Sequence, residues 1–517
     1  MTRRKLPIGI QTFAKIISGD YYYVDKTALA LRLAQESGYF FLSRPRRFGK
    51  SLLLDTLAEL FAGNEPLFRG LHAHDQWDWN KHYPLIRISF AEGVLSGPEA
   101  LDRRIREIFH HEQQRLGVTC ENQSIPGIFS ELIESAAQTH GERVVILVDE
   151  YDKPILDNLA DPGIARAMRD GLRNLYSVIK GQDAHIRFAF LTGVSKFSKV
   201  SLFSGLNNLN DITLDAAYSA ICGYTETDLE RVFAPELPGL DREDIRIWYN
   251  GYHWLGEAVY NPFDILLLFD KRTFHPWWFE TGTPTFLVDL LAKIGFFTPN
   301  LARLRTGPEL LSTFDVDHIA PEALLFQTGY LTIHKAEELI RGHWVYTLGY
   351  PNREVESSLN TSLLATYTAN PSTSASHRLA LMDLLLAHDI AGLKTLFQAF
   401  YASIPNDWYR NNPLARYEGY YASVFYSYFA ALGLDIILED VTQRGRIDMT
   451  VRFNGRIYLF EFKVVEISPE GRALRQLQDR GYADKYRAEG CPIHLIGVEF
   501  SREDRNIVGF EVETLEP

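Results

Sequence analysis

The chain has 517 residues, of which 46% are hydrophobic and 23% charged, and a formal net charge of −13. That length holds two larger domains or three to four smaller ones, and the composition is that of an ordinary globular protein. The acidic balance excludes a general nucleic-acid coat protein, which would be basic, but leaves room for nucleic-acid contact in a local groove.

The basic start at residues 1–5 is followed by no apolar run, because Gln11, Thr12 and Lys15 interrupt it. A secretory leader is therefore not expected, and no stretch has the apolar length of a membrane span. The three cysteines, Cys120, Cys222 and Cys491, are too scattered for a disulfide framework or a zinc ribbon. A cytoplasmic protein without a membrane partner is the expectation.

Gly38–Ser43 is a short apolar run with strand character, and residues 51–61 place Leu53, Leu54, Leu57, Leu60 and Phe61 at helical spacing. Residues 44–50 then form a strand-to-helix loop. Residues 84–91 read as a strand. Residues 144–148 are a continuous aliphatic run of the kind buried on both faces of a parallel sheet. Residues 186–191 give a further strand, ending at Thr192 and Gly193. Strands alternating with helices predict an α/β domain with a mostly parallel sheet over residues 1–217. Residues 218–365 read as a mainly helical lid or connector with aromatic turns, and 366–400 as a linker and helix. Residues 401–517 form a second α/β domain with the order helix, three strands, helix, strand, and Asn454-Gly455 signals a hairpin.

The loop Arg44-Pro45-Arg46-Arg47-Phe48-Gly49-Lys50-Ser51 has the form of a phosphate loop. Gly49 lets the backbone approach a phosphate, Lys50 reaches the β- and γ-phosphates, and the Ser51 hydroxyl suits Mg²⁺. The first glycine of that pattern falls at 44, where this chain has Arg44. Arg44, Arg46 and Arg47 are phosphate contacts on this reading and a solvated loop on the plainer one. The strand Val144-Val-Ile-Leu-Val-Asp149-Glu150 ends in two carboxylates. Asp149 would hold the metal, and Glu150 would polarise the attacking water. Thr192 or Ser195, past the next strand, would sense the γ-phosphate or simply cap a turn.

In the C-terminal domain Asp448 opens one strand of the predicted hairpin, and Phe460-Glu461-Phe462-Lys463 ends the other. Glu461 and Lys463 are two apart and share a strand face. Two carboxylates bind a hard cation, and a nearby lysine positions or deprotonates water, which is the equipment of metal-assisted phosphodiester cleavage. Charges in so apolar a strand are costly unless paired or metal-bound, and a Glu–Lys ion pair is the structural alternative. Glu418 on the preceding helix and Gln476 on the following one are candidates to complete the site.

With these motifs placed, the chain resembles, over nearly its whole length, a family of bacterial proteins that join an AAA-ATPase-like domain to a PD-(D/E)XK nuclease domain. The resemblance is carried by Tyr23-Val-Asp-Lys26, Phe41 to Ser51, Val148-Asp-Glu-Tyr-Asp-Lys-Pro-Ile155 and Leu191-Thr-Gly-Val-Ser-Lys-Phe197. It continues through Trp248-Tyr-Asn-Gly-Tyr252, Tyr260-Asn-Pro262, Leu325-Phe-Gln-Thr-Gly-Tyr-Leu331, Gly445-Arg-Ile-Asp448, Phe460-Glu-Phe-Lys463, Ala473-Leu-Arg-Gln476 and Gly481-Tyr482. Arg44 in place of the glycine is usual in that family.

The fold implied is an AAA-like P-loop NTPase domain with a helical lid, followed by a restriction-endonuclease-like α/β domain. The cofactors implied are ATP and Mg²⁺, with Mn²⁺ as an alternative at the nuclease site. The partner implied is nucleic acid, DNA in the first place, and a homo-oligomer is compatible with an AAA-type domain. Three readings follow: an ATP-regulated, metal-dependent nuclease; a regulatory ATPase whose nuclease-like fold binds without cutting; and a switch whose P-loop binds ATP, hydrolyses it slowly and signals by conformational change. The second draws on residues 411–517, where 13 Lys and Arg stand against 17 Asp and Glu.

Overall fold

The structure is a computed structural model that describes residues 3–36, 38–196, 202, 208–280, 288, 291, 301–312, 320–367, 371–403 and 418–517; for 310, 312, 366, 367, 371 and 418–420 the backbone alone is described. Two compact units divide the chain, Met1–Gly282 with Arg305–Asn352 and Thr283–Leu304 with Arg353–Pro517. Among the described residues no helix is long and apolar enough to cross a membrane.

The first unit is built on a five-stranded sheet in the order β2-β3-β4-β1-β5. Its strands are β1 (Gly38–Ser43), β2 (Leu85–Ser89), β3 (Val144–Asp149), β4 (Ile186–Gly193) and β5 (Asn210–Asp211). Every pairing is parallel. The central strands are mostly apolar and buried along nearly their whole length, as in a parallel sheet covered by helices. β4 lies between β1 and β3, so the loop after β1 and the acids after β3 emerge at the same edge, across one strand.

The segment after the sheet is helical in its first half, with helices Glu226–Val232, Arg242–Tyr249 and Pro262–Lys271. It shares a core with the chain ahead of the sheet, since Tyr22 and Val24 pack with Leu229, Phe233, Ile245 and Tyr260. Its second half departs from the helical expectation. β6 (Leu304–Thr306), β7 (Thr332–Ile340) and β8 (His343–Gly349) form a small sheet in the order β6-β8-β7. β7 carries Lys335, Glu337 and Glu338 on a half-solvated hairpin, so its apolar periodicity is weak.

The second unit carries a mixed sheet, β13-β12-β11-β10-β9. Its strands are β9 (Asp435–Thr442), β10 (Gly445–Phe453), β11 (Arg456–Val465), β12 (Ile493–Ser501) and β13 (Ile507–Leu515). β9, β10 and β11 are antiparallel neighbours, β11 and β12 run parallel, and β13 closes the edge antiparallel. Asn454 and Gly455 turn the β10–β11 hairpin with φ of 49° and 70°, the paired positive values that a two-residue hairpin turn demands. The helix Glu418–Ala431 packs Phe425 and Phe429 on Phe460 of β11. Residues 366–400, expected to be a linker and helix, are mostly helical where described, in Pro371–Ala387 and the start of Ile390–Ser403. The second helix expected in this domain is short, Arg472–Asp479, and is followed by single turns.

One position tests the first unit's packing. Gly251 has φ 111°, and a Cβ there would lie 1.9 Å from the Pro351 carbonyl oxygen. Gly251→Ala is expected to lose about 2–4 kcal/mol through strain and overpacking. Thermal unfolding reads this directly, and an unshifted transition would show that the backbone can move aside.

Candidate functional site

Two sites have to be built, one in each unit. In the first, β1 ends at Ser43 and the chain turns through Arg47 and Gly49 with φ of 70° and 92° before the helix Lys50–Phe61 begins. Left-handed geometry at Gly49 carries no Cβ penalty and aims the helix's first N–H groups into the loop. Lys50 is buried, and its Nζ donates to the carbonyls of Arg44 at 3.0 Å and Pro45 at 2.9 Å. Burial lowers its pKa, with Asp149 the largest opposing influence. The ammonium thus rests on loop carbonyls, which stand where a phosphate's oxygens would be attractive partners.

The Ser51 hydroxyl donates to Asp149 Oδ2 at 2.6 Å. Those two oxygens come from helix and sheet and meet at one point, an all-oxygen donor pair suited to Mg²⁺ that keeps several waters. Glu150 follows with φ 50°, a left-handed conformation that is strained for a non-glycine residue. Its carboxyl is raised above its ordinary range, first by burial and then by Asp149. A raised carboxyl is a better proton acceptor at neutral pH than an ordinary one.

The loop arginines separate in role. The Arg44 guanidinium is buried, donates to the Ser43 and Thr213 carbonyls at 2.9 Å each and to Tyr218 at 3.2 Å, and lies 4.0 Å from the Trp254 ring centre. Burial brings its pKa down to about 10. Its side chain is committed to holding the loop and does not reach for phosphate. Arg46 and Arg47 are exposed, with Arg47 stacked over Phe263 at 4.4 Å. Phe48 packs edge-on against Tyr252 and Trp254. Thr192 donates its hydroxyl to the Leu42 carbonyl at 2.8 Å, and Ser195 donates to Asp152 Oδ2 at 2.6 Å. Both hydroxyls are therefore used inside the fold, as in the turn-cap alternative. A largely apolar cavity opens beside the loop, lined by Tyr23, Phe48, Gly49, Leu53, Ile221 and Tyr224 among others.

In the second unit, β10 and β11 pair Met449 with Phe460, so Asp448 and Glu461 lie one residue beyond that pair on adjacent strands. The site closes around the Phe462 peptide. Its N–H donates to Asp448 Oδ2 at 2.8 Å, and its carbonyl accepts from Lys463 Nζ at 2.9 Å. Lys463 Nζ also donates to Glu461 Oε1 at 2.9 Å. Gln476, from the helix Arg472–Asp479, donates to the same Glu461 oxygen. Glu461 is 1% exposed. Asp448, Glu461, Lys463 and Gln476 are thus brought together. The Glu418 side chain lies outside the described residues. No group of three His, Cys, Asp or Glu side chains gathers among the described residues. Two carboxylates nevertheless fit Mg²⁺, which binds through one or two and retains waters.

Residues 7–203 match the family described as a predicted AAA-ATPase, and residues 416–510 match the PD-(D/E)XK nuclease superfamily. A curated relative from Azotobacter chroococcum mcd 1, named "Uncharacterized protein in vnfD 5'region", is 65% identical over 516 residues and covers 100% of each chain.

Two buried acids escaped sequence reasoning. Asp152 accepts from the backbone of Val194 and Ser195 and from the Ser195 hydroxyl, tying the chain after β3 to the end of β4. Glu499 stands beside Lys463 in the β11–β12 register and accepts from the N–H groups of Glu470, Gly471, Arg472 and Ala473. It anchors the start of the helix that carries Gln476. The signal was present, since Val498-Glu499-Phe500 is an acid inside a wholly buried strand, as Glu461 is.

Burial raises the Glu499 carboxyl, but the four N–H donors outweigh it and hold the group below its ordinary range. A depressed folded pKa stabilises the unit above the unfolded value of about 4.3, and that contribution is lost as pH falls through the folded value. Glu499→Gln is expected to lose about 1–3 kcal/mol at neutral pH. Its deficit against wild type should shrink in acid. An equal deficit at both pH values in thermal unfolding would contradict the assignment.

Proposed function

Since the chain belongs to the family that joins a predicted AAA-ATPase domain to a PD-(D/E)XK nuclease superfamily domain, we propose that it binds and hydrolyses ATP and that its C-terminal site cleaves nucleic acid under ATP control. The observation that carries the reading is the gathering of Asp448, Glu461 and Lys463 around the Phe462 peptide. Two acids and a lysine held at one point suit an attack by water on a phosphodiester.

In the first unit, Lys50 leaves the loop carbonyls for the β- and γ-phosphates. Ser51 and Asp149 hold the divalent ion, Glu150 takes up a proton from the attacking water, and the apolar cavity beside Gly49 receives the base. In the second, Asp448 and Glu461 hold Mg²⁺ or Mn²⁺, Lys463 orients the attacking water, and Gln476 fixes Glu461. The bound ion acidifies that water and offsets charge that develops on the phosphate. Coupling between the sites is reciprocal in binding free energy, so a nucleic acid that senses the ATP state shifts ATP affinity by the same factor. The acidic balance of residues 411–517 favours the second reading, a nuclease fold that binds without cutting.

One set of assays separates the two. Full-length protein is given single- and double-stranded DNA and RNA with Mg²⁺ or Mn²⁺, with and without ATP. Lys463→Ala is expected to lose cleavage by ~10²-fold or more, and Lys50→Ala to lose the ATP dependence. Binding without cleavage on every substrate would leave the non-cutting reading. Glu150→Gln is expected to keep ATP binding while turnover falls by ~10²-fold or more. The raised Glu150 carboxyl also puts the acid limb of ATP turnover above the ordinary carboxylate range. A limb inside that range would assign the proton transfer elsewhere.

A further inference from the structure

The second unit has a cleft that the proposed chemistry does not use. It opens where the start of the helix Ile390–Ser403 crosses the β11–β12–β13 face. Lys394, Arg456, His388 and His494 line it, together with Val512 and Thr514, and no Asp or Glu is among the lining residues. Lys394 and Arg456 put two cations on one hollow that no acid lines, beside a stretch, residues 411–517, whose acids outnumber its bases.

The cleft wall is built. His494 is 4% exposed, and its ring nitrogens meet Thr514 Oγ1 at 2.9 Å and Arg456 Nη1 at 3.5 Å. The Arg456 N–H donates to Nε2, so the imidazole is a neutral spacer that orients the guanidinium. Burial, and then Arg456, lower the His494 pKa in keeping with this. Behind it Tyr458 stacks on the His494 ring with centroids 5.0 Å apart. Tyr458 is 0% exposed and backs the ring without lining the cleft. The nearest acid on the helix side, Asp389, already accepts from the Gly392 N–H at 2.9 Å, and Glu516 lies near His494 on the strand side.

We propose that this cleft binds a phosphate group, with Lys394 and Arg456 as the cations that recognise it. It is separate from the cleavage centre. Arg456 and Lys463 are seven residues apart on β11, about 23 Å at ~3.3 Å per residue, and their odd separation sets them on opposite faces. A phosphate held here therefore anchors a ligand away from the cut. The group comes either from a nucleic-acid backbone or from a free phosphate compound.

The test uses full-length protein carrying Lys50→Ala, which removes the phosphate loop's contribution. Sodium pyrophosphate and a fluorescent single-stranded DNA oligonucleotide are titrated without divalent metal. Adding Lys394→Glu with Arg456→Gln is expected to weaken binding at least tenfold. Loss for the oligonucleotide assigns the site to backbone phosphate, and loss for pyrophosphate alone assigns it to free phosphate compounds. Unchanged affinity for both overturns the proposal. If the double variant unfolds, Lys394→Ala and Arg456→Lys are measured singly, and an unchanged affinity in both overturns the proposal instead. Cleavage is scored apart from binding: a protein that never cuts but loses anion affinity in these variants sinks the nuclease reading and keeps this one.

Discussion

A carboxylate buried at the centre of an apolar strand is the constraint on which the C-terminal site depends. Glu461 is flanked by Phe460 and Phe462, and a lone charge there would be driven to neutralise. It is instead held by Lys463 from its own strand and Gln476 from a helix. That helix is fixed in turn by Glu499 on the next strand. Gly497 lets it lie directly on β12, since a Cβ there would be 2.2 Å from the Leu474 nitrogen. Glu461 is therefore positioned by strand register: Lys463 beside Glu499, and Glu461 beside Gly497. A slip of one residue would exchange the faces and dismantle all of it.

The first unit answers the same constraint with backbone rather than side chains. Lys50 and Arg44 are both buried cations, and both donate to loop and turn carbonyls. Asp152 is a buried anion satisfied by two backbone N–H groups and a hydroxyl. Burial alone raises its carboxyl, and these donors oppose that. Backbone partners do not change with rotamer, so the loop's shape does not depend on side-chain conformation. Tying the chain after β3 to the end of β4 also means that a displacement at Glu150 is felt at Ser195.

Most of this architecture could be read from sequence where a residue's chemistry conflicted with its surroundings. Gly49-Lys50-Ser51 after an apolar strand, Asp149 and Glu150 at the end of another, and Glu461 and Lys463 inside a third are all such conflicts. Elements without conflict were missed or mistyped. β7 carries too many charges to show a strand period, and β13, with Glu511 and Glu513 toward its end, was not among the expected strands. Arg44 shows the limit of reading charge by position. Its place in the loop suggested a phosphate contact, but Trp254, Thr213 and Tyr218, far along the chain, supply a tertiary pocket that no local pattern announces. Glu499 was legible by the rule that found Glu461. It went unread because nothing local marks the helix start that it serves.

The acidic balance of the second unit and the cationic cleft are parts of one electrostatic argument. Exposed charges are screened within a Debye length of about 8–10 Å at ordinary ionic strength. A net excess of acids therefore has little reach beyond that length, and a phosphate seated against Lys394 and Arg456 is governed by those two cations. Such a surface disfavours indiscriminate coating of nucleic acid and leaves binding to a few sites where cations are oriented in advance. Arg456 is oriented in this way, because the neutral His494 ring accepts from it without adding charge. Lys463 is oriented similarly, by a carbonyl and a carboxylate. Binding on such a surface depends less on long-range attraction than on the fit of single phosphates, so its salt dependence should reflect a small number of ion contacts.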